Sequence, residues 1–358
     1  AGLSESELSW FVQQTMVNDE AFFVPGNIHR HRRIWEDYLM RMYGKKACES
    51  VRMIRDVRNL LEHGLQAIWV SPDRPSEQKH PEHDKRREAV KRMMCKLMSP
   101  EEAEEKLNSP TPASVVLPNL RSCYEDTTWY DGTVTSNLEF CETQIRDWVK
   151  QQVLWRWHWP DGQPPQCVLP LGVATREHEK KLRLIYDARY INLWVKYVKF
   201  KYETLEDLSC SMLADGWVTV SDYKAGYNHI ACPELSTYMA IQWDGEYYCF
   251  AAVPFGVSAA CRVFTEINSV MFGPLREIGL RINLYIDDRL SVSEGWRSAV
   301  RHTLMQYLLM YCTGWFVTAR KSLLAPGKAA AFRGLEWDLQ IKEIVSVPQK
   351  KMDLIRGQ

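Results

Sequence analysis

The chain has 358 residues, a formal net charge of zero, 46% hydrophobic residues and 14 Trp. This apolar and aromatic content excludes a chain that is disordered throughout, and the zero net charge excludes a global field that attracts nucleic acid or membranes. The sequence has no apolar run of about 18 residues and no signal-peptide pattern. We therefore expect a soluble, intracellular protein, nuclear or cytoplasmic, with no membrane partner. The ten Cys include no C-x-x-C pair, so neither a zinc site nor a disulfide framework is predicted.

The first third of the chain has the spacing of helices. Apolar residues recur every three or four positions over residues 33–63, and Ser99 is followed by Pro and two Glu, the pattern of a capped helix start. We expect the charged residues 71–109 to form a solvent-exposed arm. Residues 1–110 are thus predicted to be a charged helical region of unassigned role, and residues 111–155 a linker and helix leading into the next part.

Strands alternate with helices after Trp155. Short runs rich in β-branched and aromatic residues predict strands at VLPLGVA, LRLIYDA, WVTVSD, MAIQW, YYCFAAVPF and INLYIDD. Residues 258–271 and 297–310 have helical spacing, so this half is predicted to be α+β. The alternating Trp155, Trp157 and Trp159 either stack on bases or form the core face of one strand.

Two adjacent carboxylates, Asp287 and Asp288, lie between apolar runs in INLYIDDRLSV, which predicts a strand, a tight turn and a second strand. They are either an ordinary hairpin turn or a cation site, because like charges in apolar surroundings are costly without compensation. Asp222 follows the alternating run WVTVS and is either a helix N-cap or a third ligand. Carboxylates from separate strand ends hold the two ions of phosphoryl transfer, and their oxygens suit Mg²⁺. We expect the three to converge and at least one to have a raised pKa.

Several ordered motifs between about Leu169 and Lys350 resemble the fingers and palm of reverse transcriptases, closest to those of retrotransposons and pararetroviruses. LRLIYDARYIN is similar to the fingers motif R-x-x-x-D-x-R-x-x-N, and the stretch from VSDYKAGY to VPFG resembles palm motifs A and B. YIDD matches motif C, and FRGLEWD looks like the primer-grip hairpin. The order and spacing of these fragments carry the resemblance more than any single fragment does.

This resemblance implies an RNA-directed DNA polymerase that uses dNTPs, an RNA or DNA template, a DNA or RNA primer and two Mg²⁺ ions, with Mn²⁺ as a substitute. It implies the fingers and palm of a right-hand polymerase over residues 156–358, with an antiparallel palm sheet flanked by helices. The implied catalytic and metal-binding carboxylates are Asp222, Asp287 and Asp288, with the carbonyl of Tyr223 as a further metal ligand.

Other roles follow from the resemblance alone. Tyr227 occupies the position of the ring that excludes a ribose 2′-hydroxyl, and Lys321 that of the lysine that protonates pyrophosphate. The implied nucleotide-binding residues are Arg176, Arg183, Tyr223, Tyr227, Phe255, Gly256 and Lys321. The implied primer-grip residues are Phe332, Arg333, Gly334 and Leu335.

Residues 176–201 carry eight Lys or Arg against three acids, which suits either a surface that tracks phosphates or a solvated strand pair. About twenty residues follow the primer-grip-like hairpin and the first residue is not Met, so we expect the thumb and RNase H domains to be absent and the chain to be a piece of a longer polyprotein. One alternative is a non-catalytic domesticated descendant that binds nucleic acid or protein. Another, an RNA-directed RNA polymerase, is disfavoured by Tyr227 and by the lack of Gly before the Asp pair.

Overall fold

The protein is a mixed α+β structure in which helices precede antiparallel sheets. The structure is a computed structural model. It describes residues 23–64, 81–95, 99–108, 132–158, 165, 167–176, 181–193, 195–232, 236–340 and 345–347. Most of the predicted linker and Trp159 lie outside the described residues. Within the described ranges, no helix is long and apolar enough to cross a membrane.

The N-terminal region is helical, as its spacing predicts. Gly64, with φ of 56°, ends the third helix, and the Ser99 side chain accepts a hydrogen bond from the backbone N–H of Glu102, which confirms the predicted cap. The helices are α1 (Asn27–Arg30), α2 (Arg32–Ser50), α3 (Arg52–His63), α4 (His83–Met94), α5 (Pro100–Leu107), α6 (Gly132–Thr135) and α7 (Leu138–Lys150).

The described residues after Lys150 contain the strands and three further α-helices. All six predicted strand segments contain a strand. The strands are β1 (Leu154–Arg156), β2 (Leu171–Arg176), β3 (Lys181–Tyr186), β4 (Trp217–Asp222), β5 (Ala240–Trp243), β6 (Glu246–Phe250), β7 (Arg281–Tyr285), β8 (Asp288–Ser293), β9 (Leu323–Gly327), β10 (Ala329–Phe332), β11 (Leu335–Asp338) and β12 (Val345–Ser346). The helices are α8 (Leu205–Ser211), α9 (Ala260–Glu277) and α10 (Trp296–Cys312).

A four-stranded antiparallel sheet in the order β7-β8-β4-β9 positions the site. Successive side chains of a strand point to opposite faces. One face packs Val220 and Leu290 with Phe332 of the β10–β11 hairpin in a small apolar cluster. The other face meets α10, where Thr219 Oγ1 lies 3.1 Å from Thr303 Oγ1. The sheet is therefore covered on both faces, and its strand ends are where polar groups reach solvent.

The N-terminal helices share the main hydrophobic core with α9 and α10. Trp35 of α2 is fully buried, and its Nε1–H donates to the Thr313 carbonyl at 3.0 Å. Tyr43 donates its hydroxyl proton to the Val270 carbonyl at 2.7 Å. Helices α1 to α3 therefore form part of the core behind the sheet.

The prediction of a solvent-exposed arm over residues 71–109 is wrong for the apolar face of α4 and α5, and residues 71–80 lie outside the described residues. Val90, Met94 and Ala103 are buried, and Glu104 of α5 pairs with Arg87 of α4 at 2.6 Å. The dense charge of this segment lies on the outer side of two packed helices. The many charged residues of α4 and α5 therefore concealed their amphipathic pattern in the sequence.

Candidate active site

Three carboxylates lie at one end of the four-stranded sheet. Asp222, the last residue of β4, is paired with Asp288, the first residue of β8. Residues opposite each other on antiparallel strands share a face of the sheet, with Cβ atoms about 5 Å apart. Asp287 and Ile286, whose φ is 53°, form the turn between β7 and β8, and the Asp287 carbonyl accepts a hydrogen bond from the Tyr223 N–H at 3.2 Å. The predicted strand, turn and strand around the Asp pair are therefore confirmed.

Two of the three carboxylates, those of Asp222 and Asp288, have raised pKa values. Burial, and then the charges of Asp287 and Asp222, raise the pKa of Asp288 to about 6. Burial also raises the pKa of Asp222, opposed by the attraction of Lys321 and reinforced by the repulsion of Asp287. The expectation that at least one carboxylate has a raised pKa is confirmed, with desolvation as the main cause and repulsion as the second.

Backbone hydrogen bonds fix the position of Asp222. Its N–H donates to Ser322 Oγ at 3.1 Å, and its carbonyl accepts from the Thr318 N–H at 2.8 Å. The side-chain oxygen Oδ1 is buried and accepts no hydrogen bond from the described residues. The Lys321 ammonium, on a side chain that is 64% exposed, lies 3.6 Å from this oxygen. Burial nevertheless outweighs the attraction of Lys321 and the hydrogen bond from the Thr318 side chain, because the pKa of this carboxylate is raised.

The donor set at this end fits a hard divalent cation. Carboxylate oxygens are the ligands that Mg²⁺ and Mn²⁺ favour, and the orphaned oxygen of Asp222 supplies one. Within the described part of the chain, no group of three or more His, Cys, Asp or Glu side chains is arranged to hold a metal ion. The predicted convergence on one metal site is therefore not seen among the described residues, and the fit of a cation rests on ligand chemistry and on the Asp222 oxygen that accepts no hydrogen bond.

Tyr227 lies on the 3₁₀ helix Gly226–His229, which follows β4. The interpretation of Asp222 as a helix N-cap is wrong, because Asp222 ends β4 and the N-cap of this helix is Ala225. The residue is 9% exposed, and its ring packs edge-to-face against Phe255 and Phe264 at centroid distances of 5.2 and 5.6 Å. Its hydroxyl lies 2.8 Å from Cys261 Sγ. The ring is thus held on three sides.

Two glycines let chain segments approach one another at this site. A Cβ on Gly226 would lie 3.4 Å from the Cβ of Asp287, so the helix and the β7–β8 turn meet there. Gly256, with φ of 108°, follows Phe255, which is 59% exposed. The Asn192 side chain donates to the Gly256 carbonyl at 2.9 Å. This hydrogen bond joins the fingers-like motif to the V-P-F-G turn.

The primer-grip-like hairpin contacts the strand that leads to the Asp pair. Phe332 and Leu335 are paired across β10 and β11, and Arg333 and Gly334 form the turn with φ of 53° and 74°. Phe332 is buried. The Arg333 guanidinium lies 4.2 Å from the centre of the Tyr285 ring. The tip of the hairpin therefore lies near the carboxylate end of the sheet.

Two arginines singled out in the sequence lie on another sheet, the β2–β3 hairpin. Arg183 is exposed and is paired through its backbone with Ala174. Arg176 ends β2 opposite Lys181. Residues 177–180, which carry part of the basic stretch, lie outside the described residues. The structure thus groups Tyr223, Tyr227 and Lys321 with the carboxylates and places the arginines on the neighbouring hairpin.

Sequence reasoning missed Glu203, which supports this end of the sheet. Its Oε2 accepts from the Leu284 N–H at 2.8 Å, its Oε1 pairs with Arg276 at 2.5 Å, and its carbonyl accepts from Arg333 at 2.8 Å. These partners lie 73 to 130 positions along the chain, so no local pattern reveals them.

The fold is similar to that of foamy viral reverse transcriptases. No family model matches the sequence, and no curated protein matches it at a significant level. The foamy viral protease-reverse transcriptase in complex with dsDNA superposes with a TM-score of 0.55 at 16% identity, covering 78% of this chain and 59% of that chain. The same protein in complex with an RNA/DNA hybrid gives 0.53 at 16% identity, covering 79% and 39%. The dRH form in complex with dsDNA gives 0.52 at 17% identity, covering 64% and 38%.

These three superpositions concern only part of each foamy viral protein, since the chain spans between 38% and 59% of their lengths. At 16–17% identity, the likeness concerns the fold rather than the chemistry. The protein therefore has a reverse-transcriptase-like fold.

Proposed function

We propose that this protein is a DNA polymerase that copies an RNA or DNA template from dNTPs. The observation that carries the proposal is the register of β4 and β8, which pairs Asp222 with Asp288 beside Asp287. Carboxylates whose pKa values are raised by burial and by neighbouring like charges are typical of functional sites. Solved structures with a similar fold include the foamy viral protease-reverse transcriptase in complex with dsDNA and in complex with an RNA/DNA hybrid, which supports a nucleic-acid partner.

Asp222, Asp287 and Asp288 would hold two Mg²⁺ ions, with the Tyr223 carbonyl as a further ligand. When bound, two such ions activate a primer 3′-hydroxyl and neutralise the leaving pyrophosphate. The raised pKa of Asp288, to about 6 because of burial and the two neighbouring carboxylates, makes cation binding compete with protons in weakly acidic solution.

The cationic side chains would bind the triphosphate and assist the departure of pyrophosphate. Lys321, exposed and 3.6 Å from Asp222 Oδ1, can donate a proton or a hydrogen bond to pyrophosphate. Arg183 carries an exposed guanidinium on β3, and its planar fork suits phosphate oxygens. Arg176 at the end of β2 is proposed as a second phosphate contact.

Aromatic and turn residues would select the sugar and position the primer. The Tyr227 ring packs against Phe264, which limits its displacement. A ribose 2′-hydroxyl would therefore overlap the ring, and dNTPs would be favoured. Phe255 and Gly256 would line the templating base pair. The hairpin over residues 332–335 would hold the primer end.

A primer-extension assay tests the proposal. The protein is incubated with a primed RNA or DNA template, Mg²⁺, and either dNTPs or NTPs. Wild type should extend with dNTPs, and Asp287→Asn should lose at least about 100-fold, because such ligands support several kcal/mol of charge stabilisation. Asp215→Asn is the matched control, since that carboxylate is 89% exposed and pairs with Lys328. It should extend like wild type.

The arms of the assay separate the alternatives. Extension with NTPs alone would identify an RNA polymerase. Tight binding of the primed template without extension would identify a nucleic-acid-binding descendant. Wild-type extension by Asp287→Asn would remove the proposed role of the carboxylates.

A further inference from the structure

A partly buried thiol lies between two tyrosines beside the candidate site. The Tyr227 hydroxyl is 2.8 Å from Cys261 Sγ, at the start of α9. Burial, and then a hydrogen bond to the same thiol, raise the pKa of the Tyr202 phenol. Cys261 thus contacts the hydroxyl of the ring proposed to select the sugar and influences the pKa of a tyrosine in the segment that precedes α8.

Tyr202 also contacts the strand that leads to the Asp pair. Its ring centroid is 5.5 Å from that of Tyr285, and Phe200 packs edge-to-face against it at 4.9 Å. The Arg333 guanidinium lies over the same Tyr285 ring at 4.2 Å. Ring contacts thus run from the primer-grip-like hairpin through Tyr285 to Tyr202, and Cys261 contacts the ring proposed to select the sugar through its hydroxyl.

We propose that Cys261 and Tyr202 are positioning residues that hold the Tyr227 ring in place, so that sugar discrimination depends on hydrogen bonds outside the nucleotide site. The inference rests on the proposed function, because it concerns the selectivity of that reaction. A ring excludes a hydroxyl group only as well as it resists displacement. The packing of Phe255 and Phe264 limits tilting of the ring, and the contact with Cys261 anchors its far end.

The chemistry of the thiol suits this position. Sulfur is both a weak donor and a weak acceptor, so one thiol can serve two hydroxyl groups. Alanine at position 261 would remove both contacts with little change in volume, whereas serine would preserve a donor and an acceptor. The pair of substitutions therefore separates hydrogen bonding from packing.

The test measures single-nucleotide incorporation of dNTP and rNTP and compares the ratio of kcat/KM values. Cys261→Ala and Tyr202→Phe should lower the dNTP/rNTP ratio roughly 2- to 10-fold, the worth of one hydrogen bond. Cys261→Ser should stay within about 2-fold of wild type. Tyr43→Phe is the matched control, because its hydroxyl donates to Val270 on the same helix, α9, and it should leave the ratio unchanged.

A double-mutant cycle separates positioning from a general structural role. In a Tyr227→Phe background, where the anchored hydroxyl is gone, Cys261→Ala should have no further effect on the ratio. A ratio unaffected by Cys261→Ala alone, or full additivity in the cycle, would overturn the inference while leaving DNA synthesis in place.

A chemical readout does not depend on polymerase activity. The rate at which iodoacetamide alkylates Cys261, followed by mass spectrometry of its peptide, should rise in Tyr202→Phe and in Tyr227→Phe and stay constant in Tyr43→Phe. Unchanged rates would overturn the proposed contacts. Wild type that fails to extend any primer would instead overturn the proposed function, together with the role in discrimination that rests on it.

Discussion

Two regions of this protein differ in how their buried polar groups are compensated. Where the N-terminal helices meet α9 and α10, the donors of Asn27, Trp35 and Tyr43 each reach a backbone carbonyl, at 2.7, 3.0 and 2.7 Å. At the carboxylate end of the sheet, Asp222 Oδ1 accepts no hydrogen bond from the described residues, and burial and repulsion raise the pKa of Asp288 to about 6.

The hydrogen-bonded groups of the helix interface stabilise the fold, whereas the carboxylates at the end of the sheet destabilise it. A satisfied buried hydrogen bond contributes about 1 kcal/mol, whereas a desolvated charge near a like charge opposes folding. Proteins keep such local conflicts mainly at functional sites. The interface therefore explains how the sheet is supported, and the carboxylate end indicates where the chemistry is.

The largest expected effect comes from breaking the satisfied interface. Trp35→Ala should lower the free energy of unfolding by about 3–5 kcal/mol, because it opens a cavity in the core and orphans the Thr313 carbonyl. Urea unfolding measures the change. Leu308→Ala, at a side chain 62% exposed on α10, should change stability by less than about 0.5 kcal/mol. Equal losses in both variants would mean that the interface is not part of the core.

A second effect is expected at the ring beside the carboxylates. Tyr227→Ala should admit ribonucleotides and lower dNTP/rNTP selectivity by about 10- to 200-fold, the equivalent of 1–3 kcal/mol of overpacking. Tyr227→Phe should lower the selectivity only roughly 2- to 10-fold, because the ring does the excluding and the hydroxyl only anchors it through Cys261. Single-nucleotide incorporation measures both. An unchanged ratio in the alanine variant would show that Tyr227 is only a core aromatic residue.

A third effect has the opposite sign from the first. The folded pKa of Asp288, about 6, lies above the ordinary Asp value of about 3.9, so the folded protein binds more protons than the unfolded chain between these values. Stability therefore falls as pH rises through that window. Asp288→Asn should raise the free energy of unfolding at pH 8 by about 1 kcal/mol and leave it nearly unchanged at pH 4.

Urea unfolding at both pH values checks this reversal. Asp215→Asn, at an exposed carboxylate paired with Lys328, should show no gain at pH 8. A loss of stability in Asp288→Asn at pH 8 would mean that the carboxylate supports the hairpin rather than straining it.

The smallest effect concerns the basic stretch. Lys199 is exposed, and Lys199→Ala should weaken template binding alike for all sequences. It should also reduce the slope of log affinity against log salt by roughly 0.7–0.9. Lys85→Ala on α4, where the side chain is 81% exposed and pairs with Glu82, should leave the slope unchanged. Binding that does not respond to salt would make residues 176–201 a solvated surface.

The sequence was sufficient to predict the strands and the carboxylate hairpin. Alternating apolar residues in WVTVSD and INLYIDD define β4 and β7 locally. The turn at Asp287 follows from the polar pair between two apolar runs. These features depend on neighbours in the chain, which is why they are visible in the sequence.

Features that depend on distant residues could not be predicted. Trp35 bonds to Thr313, 278 positions away, and Cys261 contacts Tyr227, 34 positions away. The buried face of α4, with Val90 and Met94, is hidden among charged residues. The first two are tertiary contacts that local spacing does not encode, whereas the apolar spacing of α4 is local and was concealed by the surrounding charge.

The central claim is that the carboxylates lower the stability of the cation-free protein and hold cations. The response of thermal stability to Mg²⁺ tests this claim most directly. Wild type and Asp288→Asn would be unfolded thermally at pH 8 with and without Mg²⁺. The account predicts that the variant has the higher Tm without Mg²⁺, and that Mg²⁺ raises the Tm of wild type more than that of the variant, because a ligand of the folded state stabilises it. Equal shifts in both proteins, or a variant that melts below wild type without Mg²⁺, would contradict it.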